Sequence, residues 1–294
     1  MCLAETHTAV GDRRAHGPDH STPDQHGAAR PGGLSRRAVL AGAAMTLAGT
    51  VWAQPAAAAA AVHPSRGRRM RDLTWAFTTS FPVFSDGEEA TRRTHVTIED
   101  DGYYLQQWSF YEHTATHLDA PGHFSTGGRL SPQIRLDELI VPAVVVDISK
   151  KVRHNHDAEV TVNDLLAWER RHGRIPQRAA VLMYSGWETR VGSTAGYRGT
   201  DSSGVYHFPG FDLDAVDWLV SRRRITGIGV DTLSLDHGPS TTFEVHSRLL
   251  GADHWGLENL RNLGTIPPVG AQIFVGLVPW ERGSGGPCRV IARW

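Results

Sequence analysis

Between His113 and Phe124 the sequence places His113, His117, Asp119 and His123, four metal-competent or acid–base side chains, within eleven residues. That spacing separates helix from strand. On a helix, His113 and His117 share a face while Asp119 points well away from His117. On a strand, His113, His117 and Asp119 have one parity and project from one side. Thr114, Thr116 and the preceding Tyr111 also favour extended backbone. Four residues of flat strand span roughly 13 Å, a distance over which two imidazoles barely meet, so the strand is expected to bend or bulge near Ala115. Pro121 and Gly122 then break the strand and turn the chain, which swings His123 towards the same place. Two neutral imidazoles and a carboxylate suit Zn²⁺, Mn²⁺ or Fe²⁺.

The bulk numbers restrict what surrounds this cluster. The 294 residues are 40% hydrophobic and 21% charged, an ordinary globular composition for one large domain or two small ones. A formal net charge of −1 gives no electrostatic pull towards nucleic acid or an anionic membrane. Residues 1–34 have the composition of a disordered segment. Arg36 and Arg37 precede an Ala-rich apolar run to Ala53 that resembles a twin-arginine export signal, with candidate cleavage points at Ala53 and among Ala56 to Ala61. The run is shorter than the ~20 residues of a spanning helix. Residues 1–61 are therefore expected to be a leader, and the mature protein to be exported to the periplasm or beyond without stable membrane insertion. Once Cys2 leaves with the leader, Cys288 has no internal disulfide partner.

The folded part is expected over 70–294. Leu73 to Phe77, His95 to Ile98, Tyr103 to Phe110, Val141 to Ile148, Ala179 to Tyr184, Ile225 to Val230, Ile273 to Leu277 and Arg289 to Ala292 read as strands. A helix starts at Thr161 and stops at Gly173, a second runs from about Asp212 to Arg223, and Phe243 to Asn262 reads as mainly helical. No internal repeat is present. The sum is one α/β domain with a mixed sheet.

The cluster also resembles a known family. The pattern His-x-Gly-Thr-His-x-Asp-x-Pro-x-His-Phe marks the cyclase family of metal-dependent hydrolases, which includes bacterial kynurenine formamidases and isatin hydrolases. The chain matches it at His113, Thr116, His117, Asp119, Pro121, His123 and Phe124, and departs at Ala115, where the pattern has Gly. The resemblance extends from Asp72 to the end and implies the swivelling β/β/α fold. It implies that His113, His117 and Asp119 bind one metal ion and that Asp119, His246 and Glu258 hold a second, Asp119 and Glu258 bridging. One or two ions per chain, Zn²⁺ or Mn²⁺, are the expected cofactor. The resemblance places Phe84 at an aromatic substrate contact that is Trp in the formamidases, and it allows a homodimer.

The expected chemistry is hydrolysis of a small-molecule amide or cyclic amide. A divalent ion lowers the pKa of a bound water from 15.7 to about 7, which supplies hydroxide at neutral pH. His123 would then shuttle the proton to the leaving nitrogen. N-formylkynurenine is the first substrate candidate, although export argues against a role in cytoplasmic tryptophan breakdown. A cyclising or dehydrating enzyme of secondary metabolism and a non-catalytic metal or ligand carrier are the alternatives. A carrier has no use for a histidine such as His123 beside an open metal site. Asp231 is open between supporting a metal ligand and capping a turn, and His207, His237 and His254 carry no assigned role.

Overall fold

The computed structural model of the protein describes residues 69–294, so the expected leader with Arg36 and Arg37 lies outside the described residues. The strands are β1 (Met70–Asp72), β2 (Thr91–Val96), β3 (Leu105–Ser109), β4 (His117–Asp119), β5 (Ile140–Asp147), β6 (Glu159–Val160), β7 (Ala180–Tyr184), β8 (Gly210–Phe211), β9 (Gly227–Val230), β10 (Trp255–Glu258), β11 (Ala271–Leu277) and β12 (Gly285–Arg293). The helices are α1 (Ile98–Asp101), α2 (Ser149–Val152), α3 (Val162–His172), α4 (Thr194–Arg198), α5 (Leu213–Trp218) and α6 (Glu244–Gly251).

Eight strands form one sheet in the order β1-β12-β11-β5-β7-β9-β10-β4, and β12 pairs with β4 as well, closing the sheet into a barrel. β5, β7, β9 and β10 run parallel; the remaining pairs are antiparallel. Strand alternation divides the core in two. Val141, Ala143 and Val145 of β5, with Ala180 and Leu182 of β7, join Leu118, Leu257, Ile273 and Val290 inside the closed sheet. Val144, Val146, Val181 and Met183 face outward onto Leu165, Trp168, Ala215 and Leu249 of the covering helices. Strands buried on both faces read as unbroken apolar runs, which is why Val141 to Ile148 is legible in sequence. α3 begins and ends as expected. Asp164 Oδ2 accepts the Thr161 N–H at 2.9 Å, Thr161 Oγ1 accepts the Asp164 N–H in return, and Gly173 closes the helix at φ 88°.

Three expectations need correction. The first strand is Met70–Asp72 and not Leu73 to Phe77. The Leu73 N–H still bonds the Val290 carbonyl at 2.9 Å, but the next N–H groups turn to side-chain acceptors, Thr74 to Asp72 Oδ1 at 3.1 Å and Trp75 to Thr116 Oγ1 at 3.0 Å, so the ladder stops. Ile98 opens a one-turn helix because Thr97 caps it and Gly102 ends it at φ 76°. Phe243 to Asn262 is not mainly helical. α6 stops at Gly251, Asp253 takes φ 64°, and Trp255–Glu258 enters the sheet between β9 and β4. A four-residue strand buried throughout has no periodicity to distinguish it from helix.

Candidate metal centre

β4 is three residues long and wholly buried. Leu118 points into the barrel, so His117 and Asp119 share the opposite face. Register places Glu258 of β10 directly across from His117, and puts Gly256 of β10 and Gly285 of β12 on either side of Asp119. A Cβ on Gly256 would come within 2.5 Å of Leu235 Cδ1 and 3.3 Å of Asp119 Oδ2. On Gly285 it would lie 2.3 Å from the Leu118 carbonyl oxygen and 2.8 Å from His113 Cε1. Asp119 has room for ligands because neither neighbouring strand carries a side chain at its level.

His113 arrives differently from the parity argument. Strand character starts at His117, so no single extended face runs from His113 to Asp119. The expected bend at Ala115 is present as a left-handed residue, φ 57°, a conformation disfavoured by a Cβ. The Ala115 carbonyl accepts His117 Nδ1–H at 2.8 Å and Asn259 Nδ2–H at 2.9 Å, which pin it there. The reversal carries His113 Nδ1 to 2.7 Å from Asp119 Oδ1. The 3₁₀ turn Pro121–His123 then stacks the His123 ring on His113, centroids 3.7 Å apart.

His246 from α6 completes the cluster. Its Nε2 lies 3.0 Å from Glu258 Oε1 and 3.6 Å from Asp119 Oδ2. His117 Nε2 lies 3.3 Å from both Asp119 Oδ1 and Glu258 Oε2. Two triads result, His113–His117–Asp119 and Asp119–His246–Glu258, sharing Asp119. Ligand atoms about 2.1 Å from a tetrahedral cation stand about 3.4 Å apart, which matches this spacing.

The hydrogen bonding around the triads also fits a cation. Each imidazole spends its outer nitrogen on a fixed partner: His117 on the Ala115 carbonyl, His246 Nδ1 on Asp236 Oδ2 at 2.6 Å, and His113 Nε2 on Ser284 Oγ at 2.9 Å. Ser284 in turn donates its hydroxyl to Glu112. The inner nitrogens are thereby left to present lone pairs to the centre. His117 Nε2 and Asp119 Oδ2 are buried there without a hydrogen-bond partner, a costly state unless another group meets them. The donor set of three imidazoles and two carboxylates suits a divalent transition-metal ion.

Without a cation the same charges are balanced by protons. Burial disfavours a charged His117 ring, but Asp119 and Glu258 outweigh it and raise His117 to about 10. His246 is raised well above its ordinary value by Asp119, Asp236 and Glu258 against the same burial cost. Burial alone would raise the Asp119 carboxyl; His117, His113 and His246 hold it well below the usual carboxylate range. Metal loading at pH 7 must therefore displace protons from His117 and His246. Calorimetric titration of the metal-free protein in buffers of different ionisation enthalpy is expected to show proton release on binding, with affinity rising as pH rises. The sign for folding is opposite. His117 is raised in the folded state, so its stabilisation is complete below 6.5 and is lost as pH climbs through about 10. The metal-free melting temperature should fall across that window while that of the loaded protein does not.

Asp236 holds His246 through Nδ1 and also accepts the Val245 and His246 backbone N–H groups, so it orients the ring rigidly. Asp236→Ala is expected to weaken metal binding about 10–100-fold with little change at the His113 triad, read by competition with a chelator.

The centre opens into a cavity of about 270 Å³ walled by Phe84, Phe124, Phe243, Tyr111 and Leu233. Phe84 packs against Tyr206 and Phe243, at 5.5 and 5.9 Å between centroids. Its segment is clamped from behind. Arg198 Nε donates to the Val83 carbonyl at 2.8 Å, Arg198 Nη1 pairs with Asp86, and the Tyr206 hydroxyl donates to the Phe84 carbonyl. His123 lines the same cavity, and burial pushes it down to about 4, leaving its ring neutral at pH 7.

All seven anticipated side chains, Phe84, His113, His117, Asp119, His123, His246 and Glu258, line this one cavity. Asp236, Asn259, Ser284 and Glu112 have no sequence signal, because each acts through a fold-dependent contact. Asp231 does not touch the triads. Its carboxylate accepts Ser185 and Gly186 N–H groups across the ends of β7 and β9, which makes it a turn cap. Burial raises it to about 7. His207 pairs with Asp157 and His237 with Glu159, both away from the cavity.

The Cyclase family model matches residues 71–237, more than half of the chain. The chain belongs to the cyclase family. Among curated cyclase-family relatives, it is 33% identical over 202 residues to an isatin hydrolase of Roseibium aggregatum, covering 66% of this chain and 76% of that one. It is 24% identical to a kynurenine formamidase of Erythrobacter litoralis, covering 77% and 94%. Among solved structures, isatin hydrolase A from Ralstonia solanacearum superposes with a TM-score of 0.73 at 36% identity, over 76% of this chain and 91% of that chain.

Proposed function

We propose that the protein hydrolyses the C–N bond of an aryl amide or cyclic amide, with His113, His117, Asp119, His246 and Glu258 holding one or two divalent cations. The observation that carries this reading is the convergence of these five side chains on one buried point. His117 Nε2 and Asp119 Oδ2 are unpartnered there, at the floor of a cavity that His123 overlooks. A divalent cation bound there supplies Lewis-acid polarisation of a carbonyl and an acidified water.

The chain's own groups supply the rest. Hydrolysis forms a C–O bond and breaks the C–N bond, and the proton given up by water must reach the departing nitrogen. His123 is neutral at pH 7 and faces the cavity, so it can take that proton and return it. Phe84, Phe124 and Phe243 provide flat apolar walls for a ring, and the burial of such a ring excludes water from one side of the carbonyl. The relatives' names, an isatin hydrolase and a kynurenine formamidase, are those of amide hydrolases and fit this chemistry.

The test is turnover by metal-loaded protein on a panel of N-formyl aromatics, isatins and aryl lactams, with and without chelator. Chelator-sensitive cleavage of at least one aryl class is expected. Absence of hydrolysis across the panel by fully loaded protein would overturn the proposal.

A further inference from the structure

Resting on the amide-hydrolase reading, we propose that Glu88 is a charge-selecting residue, which makes the substrate an aryl amide whose far end is neutral or carries an ammonium or N–H group, and not a carboxylate.

Charge in the cavity is distributed unevenly. Among the described residues no lysine or arginine lines it; its charged residues are Glu88, Asp119, Glu258 and the histidines. Asp119 and Glu258 lie at the floor, where histidine nitrogens stand 2.7–3.6 Å away. Glu88 is different. It is half-buried in the cavity wall and has no cationic partner among the described residues.

Its position is fixed. Glu88 Oε2 accepts the Ser85 N–H at 3.1 Å and the Glu88 N–H returns to the Ser85 carbonyl, closing a tight turn. The start of this segment is the one that Arg198 and Tyr206 hold at Val83 and Phe84. Arg198, which holds this segment, gives Nε to the Val83 carbonyl and Nη1 to Asp86 and forms no ion pair with Glu88. One Glu88 oxygen therefore remains free to accept a hydrogen bond from a ligand. A carboxylate brought to the same place would meet a like charge against apolar aromatic walls.

The experiment uses three N-formylanilines that differ only at the meta position, bearing aminomethyl, ethyl or carboxylate, assayed with metal-loaded protein at low salt. The carboxylate is expected to have a kcat/KM about tenfold or more below the ethyl compound, mainly through KM, and the aminomethyl compound to equal or exceed it. Glu88→Gln should collapse the spread, Glu88→Lys should invert it, and added salt should shrink it. Equal handling of all three by the wild type, or an unchanged spread in Glu88→Gln, would overturn the assignment. If none of the three is cleaved, the N-formyl aryl class is excluded and the amide reading is decided by the isatins and lactams of the wider panel. Dissociation constants of the same compounds, measured calorimetrically on both proteins, then decide the role of Glu88: the same order supports it and equal affinities refute it.

Discussion

Asp119→Ala is expected to lose metal from both triads and to reduce kcat/KM by about 10³-fold or more, since a bound cation contributes several kcal/mol at the transition state and each 1.36 kcal/mol is tenfold. Asp119 is the one side chain common to the two groups. Its removal leaves His117 and His246 without the carboxylate that balances a dication between them. Asp119→Asn keeps the shape and one neutral oxygen, so it separates charge from packing. Both variants should fold, because the space around Asp119 is set by Gly256, Gly285 and Leu118 and not by the carboxylate. Metal content by elemental analysis and the melting temperature of metal-free protein read the two effects apart. Full metal occupancy in Asp119→Ala would contradict the shared-ligand geometry.

His123→Ala is expected to do the reverse: metal retained and kcat reduced about 10²–10⁴-fold. Its ring stacks on His113, but it belongs to neither triad. Burial holds it down to about 4, so it keeps a free lone pair from neutrality to well below the ordinary value of 6.5. The wild-type rate should therefore keep this proton acceptor down to an acid limb below 6.5. In His123→Ala that limb should vanish along with most of the rate. Unchanged kcat in a metal-replete His123→Ala protein would remove His123 from the reaction.

The buried strands and the capped helix were legible because apolar runs and cap residues are local signals; Val141 to Ile148 and Thr161 to Gly173 lie within a residue or two of their structural bounds. The spacing of His113, His117 and Asp119 pointed correctly to convergence near Ala115 but not to its route. A left-handed alanine is stabilised by Asn259, which lies 144 positions along the chain. Glu258 illustrates the complementary failure. Its neighbours Trp255 to Leu257 carry no alternation, so helix and strand are indistinguishable until pairing with β4 and β9 decides. The groups that orient the rings, Asp236 and Ser284, are ordinary residues of loop segments, and only tertiary packing gives them a partner.

Anomalous scattering recorded across the zinc and manganese absorption edges from crystals of metal-replete protein addresses the central claim most directly. One or two peaks within coordinating distance of Asp119 are expected, the first also reaching His113 and His117 and the second His246 and Glu258. Metal-replete crystals whose peaks all lie elsewhere, with His117 Nε2 and Asp119 Oδ2 met only by water, would contradict it.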